Sequence, residues 1–165
     1  MRRFALFIIF IVHITCLRAQ DIYCDSAVAK HVFNPSRLTM VEPCVTVKGV
    51  VKFLLPGRDG DMHIALKPDS GYSRLINASN IAVWDSCLVC EIVCQHAPDS
   101  TAGVGDICKG YVNHVQVPRA GSHIAVTGTL AEDDGEGILG KYGWMEIHPV
   151  TAIAALKPVQ RQPGR

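Results

Sequence analysis

Apolar residues fall into five short stretches of strand character, separated by turns rich in glycine, proline and acids. The first runs from Cys44 to Leu55 and is valine-rich, with Val45 and Val47 on one face and Thr46 and Lys48 on the other. Gly49 interrupts it and marks a bulge or a coil of the strand. Pro56-Gly57-Arg58-Asp59-Gly60 is a turn by composition, and Met62 to Lys67 completes a hairpin. Cys87 to Cys94 is a third strand, apolar on both faces. His123 to Leu130 alternates as a fourth, and Met145 to Leu156 forms a fifth, bent at Pro149. Helical patterning is sparse. Ser26 to Val32 predicts one or two turns, ended by Asn34-Pro35, and residues 98–114 hold a Gly-rich loop and a short helix. Five short strands with little helix predict a small all-β barrel or sandwich.

The polar positions inside these strands carry the candidate chemistry. Asp59-Gly60-Asp61-Met62-His63 and Trp144-Met145-Glu146-Ile147-His148-Pro149-Val150 each set a histidine beside an acid. Residues i and i+2 of a strand share a face, so Glu146 and His148 point the same way. Glu91 stands mid-strand in Leu88-Val89-Cys90-Glu91-Ile92-Val93-Cys94. A carboxylate buried there without a partner costs several kcal/mol or takes up a proton. It therefore requires a cation, a hydrogen-bond donor or a metal.

The ends of the chain set the compartment. Arg2 and Arg3 precede an apolar run from Phe4 to Ile14, broken only by His13, and Leu17-Arg18-Ala19 ends in a small residue. Residues 1–19 therefore read as a cleaved export signal, too short to span a bilayer of about 20 residues. No second long apolar run follows, so no membrane span is expected after cleavage, and the localisation expected is secreted, periplasmic or extracellular. Removing Arg2, Arg3 and Arg18 leaves 13 basic and 15 acidic residues, a net charge near −2. That balance argues against a phosphate-neutralising surface and hence against a nucleic-acid partner. The division expected is a signal at 1–19, an N-terminal extension at 20–43, the β domain at 44–156 and a flexible basic tail at 157–165.

Six cysteines remain in the mature chain, Cys24, Cys44, Cys87, Cys90, Cys94 and Cys108, and an even number in an exported chain favours disulfides. Cys94 with Cys108 would close a short Gly-rich loop, and Cys24 with Cys44 would pin the N-terminal segment to the first strand. Cys87 and Cys90 are then left over. On a straight strand they lie about 10 Å apart on opposite faces, too far to bridge. Either the strand starts after Cys87 or the pairing differs, and a thiolate zinc half-site or redox pair is the rival use. Asn77-Ala78-Ser79 is a glycosylation sequon in a host that modifies exported proteins.

A helix between the third and fourth of five strands resembles the OB-fold, a five-stranded Greek-key barrel. The Cys-led first strand at Cys44, Asp59 to His63, Leu88-Val89-Cys90-Glu91, Cys94, Cys108 and Trp144 to Val150 resemble a group of exported, largely uncharacterised OB-like proteins. The resemblance covers about Cys44 to Leu156 and carries no established activity. It implies a third strand lying between the second and the fifth, which sets Glu91 between His63 and the pair Glu146 and His148. Met62, Ile64, Leu66, Met145 and Ile147 would fill the barrel, leaving His63, Glu146 and His148 on the outer face, where OB-folds often bind ligands. The expected function is a binding or structural module for an unknown small ligand or protein. Its candidate site is His63, Glu91, Glu146, His148 and Asp61. These residue types suit a hydrogen-bonded cluster that ties strands together, a site for zinc or another divalent metal, or a metal-free ligand site. The alternative is a metal-dependent, nuclease-like hydrolase on the same face. Asp59-Gly60-Asp61 resembles the acidic turn of OB-fold thermonucleases, although the later Arg and Glu motifs of those enzymes are missing. No nucleophile elbow, His-Glu-x-x-His helix or phosphate loop occurs.

Overall fold

The computed structural model describes residues 24, 25, 27–134 and 143–157. The expected export signal and most of the basic tail lie outside them. Five strands are present: β1 (Leu38–Pro56), β2 (Met62–Pro68), β3 (Leu88–Ile92), β4 (His123–Asp133) and β5 (Trp144–Ala155). They hydrogen-bond in the order β1-β2-β3-β5-β4, and β4 returns to β1 to close the sheet. All pairings are antiparallel except β3 with β5, which is parallel. The order places β3 between β2 and β5, as the resemblance implies.

Closure depends on β1, which is long enough to serve two partners. Its Leu38–Val50 half pairs with β4 and its Gly49–Pro56 half with β2. The strand starts six residues before Cys44, so the proposed boundary at 44 falls within it. Gly49 pairs on both sides, and a Cβ there would strike the Lys67 carbonyl. Only glycine lets the two neighbouring backbones approach this closely.

The period-two pattern of the strands fills the ring. Val47, Val51, Ile64, Leu66, Leu88, Cys90, Ile92, Val126, Leu130 and Ile147 belong to one buried cluster, with Met62 and Met145 packed against it. A second cluster lies at the turn that follows β3. There Val93 and Cys94 meet Val28 and Val32, which carry the 3-10 turn Val28–His31. The N-terminal segment thus packs against the end of β3. Disulfide Cys24–Cys44 ties that segment to β1, and Cys94–Cys108 closes the loop that follows β3.

Helix placement departs from expectation. No helix occurs between β3 and β4 among the described residues; the segment runs through turns and extended chain. Gly103, Gly105 and Gly110 all take positive φ there, which a right-handed helix does not tolerate. The helix α1 (Ala78–Val83) lies instead between β2 and β3. It is nucleated by a capping box, in which Asn77 accepts from the Ser79 and Asn80 amides and Asn80 accepts from the Asn77 amide. Composition reads this stretch as a polar loop because the box is formed by asparagines in both roles.

Candidate functional site

Register brings the predicted residues together. His63 on β2 sits directly opposite Glu91 on β3. On the other side, β5 runs parallel to β3 with Val89 opposite Glu146 and Cys90 opposite Ile147, so His148 comes alongside Glu91. Glu91 therefore lies between two imidazoles. Its Oε1 is 3.0 Å from His63 Nε2 and its Oε2 is 3.1 Å from His148 Nδ1. His148 Nδ1 also lies 2.9 Å from Glu146 Oε1, and Trp144 Nε1 donates to Glu146 Oε2 at 2.9 Å. A bulge in β5 at His148-Pro149, where two residues face Thr129 alone, adjusts this end of the strand.

Asp61 enters from the turn before β2. Gly60 has φ 101° and its carbonyl accepts the Gln95 and His96 amides. A Cβ at Gly60 would lie 2.8 Å from the His96 carbonyl oxygen, so the turn docks on the 94–96 segment through a glycine. The docking aims Asp61 inward. Its Oδ1 accepts the Cys94 amide at 2.8 Å, and its Oδ2 lies 3.7 Å from His148 Nε2.

The face is outer but not open. Asp61, Glu91, Glu146 and His148 are each 2% exposed or less, whereas the His63 side chain keeps 20% of its surface. The outer face expected for these residues is thus closed where Arg37 and the Cys94–His96 segment lie against it. Arg37 is part of that cover. Its guanidinium pairs with Asp133 and lies 3.9 Å from both Glu91 Oε2 and Glu146 Oε1. Two surface hollows of about 390 and 440 Å³ lie beside Cys108–Tyr111 and Tyr111–Gln116, and none of the five predicted side chains lines either. Trp84 lies over the exposed edge of His63, with ring centroids 6.3 Å apart, and meets Trp144 edge-on at 5.8 Å.

The charges follow from packing. Burial pushes the Glu91 carboxyl up, but His148, His63 and Arg37 outweigh it and hold the group down at about 2. Burial disfavours charge on both histidines, yet Glu91 outweighs it for His63, and Glu91 with Glu146 for His148, raising each to about 9. Burial and then Asp59 raise Asp61 to about 6, and burial and then Glu91 raise Glu146 to about 7. One carboxylate is thus held firmly ionised by cations, while its acidic neighbours are pushed toward protonation.

Asp61 Oδ2, His148 Nε2 and Glu91 Oε2 are buried without a hydrogen-bond partner. One oxygen each from Asp61 and Glu91 and one nitrogen of His148 lie within 4.8 Å of one another. Of the earlier candidates, His63, Glu91, Glu146, His148 and Asp61 all belong to this network. Sequence reasoning missed Arg37, Asp133 and the indole of Trp144. The Trp144-x-Glu146 spacing carried a signal, since i and i+2 share a strand face; Arg37, in a 3-10 turn remote from β3, carried none.

The cysteine candidates divide. Cys24–Cys44 and Cys94–Cys108 are bonded, whereas Cys87 and Cys90 are free and buried, so their disulfide candidacy is corrected. Cys87 precedes β3 while Cys90 points into the barrel core. Burial pushes the Cys90 thiol far up, which opposes a thiolate role there. Asn77, the sequon residue, uses its Nδ2 to donate to the Gly143 carbonyl at 2.8 Å while its Oδ1 caps α1. A glycan would attach at the nitrogen that meets the Gly143 carbonyl and would leave the Oδ1 cap in place.

No protein-family model matches the chain, and neither a curated protein nor a solved structure matches it.

Proposed function

We propose that this chain is an exported OB-like module whose histidine–carboxylate cluster is a ligand-holding centre built into the scaffold. The observation that carries this reading is the pair of unpartnered buried atoms, Asp61 Oδ2 and His148 Nε2, facing each other at 3.7 Å beside Glu91 Oε2, which also lacks a hydrogen-bond partner. That separation is too long for a hydrogen bond, and an unpaired polar atom in a protein interior calls for a partner. The closed order β1-β2-β3-β5-β4 supports the OB-like assignment, with α1 preceding β3 as its departure from the pattern. Two disulfides support an oxidising compartment. Among the described residues no helix is long and apolar enough to cross a membrane. Burial of Glu91, Glu146 and His148 favours holding a small species over turning over a substrate, since hydrolysis needs an open cleft.

Native mass spectrometry of the chain, recovered from the medium or periplasm of an exporting host, tests this. The expected species begins after Ala19, keeps both disulfides and carries mass beyond the polypeptide that His148→Gln loses. A chain retained in the cytoplasm, or an exported chain of bare polypeptide mass in every preparation, refutes the reading.

A further inference from the structure

The ligand-holding reading leaves its occupant unassigned, and the geometry narrows it. An ion about 2.1 Å from both His148 Nε2 and Asp61 Oδ2 would see them at roughly 120°, given their 3.7 Å separation. Each of these side chains is already held from behind. Glu146 Oε1 holds His148 through Nδ1 at 2.9 Å, which leaves Nε2 as the ligating nitrogen. The Cys94 amide holds Asp61 through Oδ1, leaving Oδ2. Glu91 adds a third side chain within 4.8 Å, close to the ~4.2 Å that two ligands of one ion can span. Three buried carboxylates, Asp61, Glu91 and Glu146, stand beside the two imidazoles here.

We propose that Asp61, Glu91 and His148 bind one divalent cation of the zinc type, with Asp61 Oδ2 and His148 Nε2 as its first ligands and Glu146 as the positioning residue for the imidazole. An imidazole with two carboxylates suits a borderline transition-metal ion better than calcium, which prefers an all-oxygen shell. Loading requires the Nε2 lone pair, so any proton there leaves to solvent while the Nδ1 proton stays with Glu146. This proposal rests on the ligand-holding reading and goes beyond it in naming the ion.

The test uses the full exported chain, stripped with chelator and titrated with Zn²⁺ and, separately, Ca²⁺ by calorimetry. Wild type is expected to take about one equivalent of Zn²⁺ with a dissociation constant of about 1 µM or tighter, and Ca²⁺ far more weakly. Asp61→Asn, which keeps Oδ1 for the Cys94 amide, and His148→Gln should each weaken Zn²⁺ binding at least ~100-fold, and Glu146→Gln about 10- to 100-fold. Co²⁺ bound to wild type should show a visible spectrum that Glu146→Gln shifts, a change that a purely structural role for Glu146 would not produce. Wild-type stoichiometry below about 0.1 equivalent at ~100 µM Zn²⁺ overturns the proposal, as does equal affinity in folded Asp61→Asn. An organic adduct retained at the same site, with no metal uptake, overturns the cation while sparing the ligand-holding reading.

Discussion

Replacing Glu91 by glutamine isolates the charge at the centre of the cluster while keeping its shape. In the native protein this carboxylate lies 3.0 Å from His63, 3.1 Å from His148 and 3.9 Å from Arg37. Removing one member of a buried ionic network leaves the others uncompensated, a loss of about 3–5 kcal/mol. Linkage supports this magnitude. His63 rises from 6.5 unfolded to about 9 folded, which corresponds to roughly 3 kcal/mol favouring the folded state. Because the folded value is the higher one, that contribution is complete below pH 6.5 and lost as pH rises through 9. Glu91 has the opposite sign. Its folded value of about 2 lies below 4.5, so its contribution is present above pH 4.5 and lost as pH falls through 2. The difference between wild type and Glu91→Gln should therefore plateau between about pH 4.5 and 6.5 and shrink on both sides. Urea unfolding of the chelator-treated, disulfide-intact proteins from pH 3 to 10, followed by the fluorescence of Trp84 and Trp144, measures it. A difference below about 1 kcal/mol at pH 6, or one that does not vary with pH, would refute the assignment of Glu91 as the shared counter-ion.

Other perturbations address the scaffold. Asn80 is fully buried; its Nδ2 donates to the Cys87 and Met145 carbonyls and its Oδ1 accepts the Asn77 and Met145 amides, so Asn80→Ala should cost about 3 kcal/mol or more in chemical denaturation. A loss under about 1 kcal/mol would show that α1 is not fastened to β5 through this side chain. Replacing Cys24 and Cys44 together by serine opens a link with sequence separation 20 and should cost about 3 kcal/mol; unchanged thermal stability would contradict the clamp on the N-terminal segment. Cys87 and Cys90 should resist a thiol reagent until the chain unfolds, as read by thiol titration with and without denaturant, and rapid native labelling of both would contradict their burial.

Local pattern made the strands legible. Alternation in Met62–Lys67 and in the β5 segment identified which residues share a face, and β2, β4 and β5 begin within one residue of the expected positions. The two disulfides were legible as candidates because Cys24 and Cys44 flank the start of the first strand, and Cys94 and Cys108 flank a loop. Helices were not legible. Gly103, Gly105 and Gly110 force the chain through positive φ where a helix was expected, and α1 depends on a reciprocal Asn77–Asn80 box that composition reads as loop.

The sequence by itself determined that histidines and acids lie on one side of their strands, because a strand's side chains alternate whatever surrounds them. It also determined that Glu91 needs a cation, a hydrogen-bond donor or a metal, because an isolated carboxylate in an apolar strand is too costly to keep ionised. Only the tertiary structure decided that this side is closed. Val28 and Val32 bury themselves against Val93, and this packing carries Arg37 over the cluster from a segment remote in sequence. Nothing local to Arg37 specifies where it lands. That is set by the closure of β4 onto β1, which brings Asp133 opposite Leu38, next to the arginine.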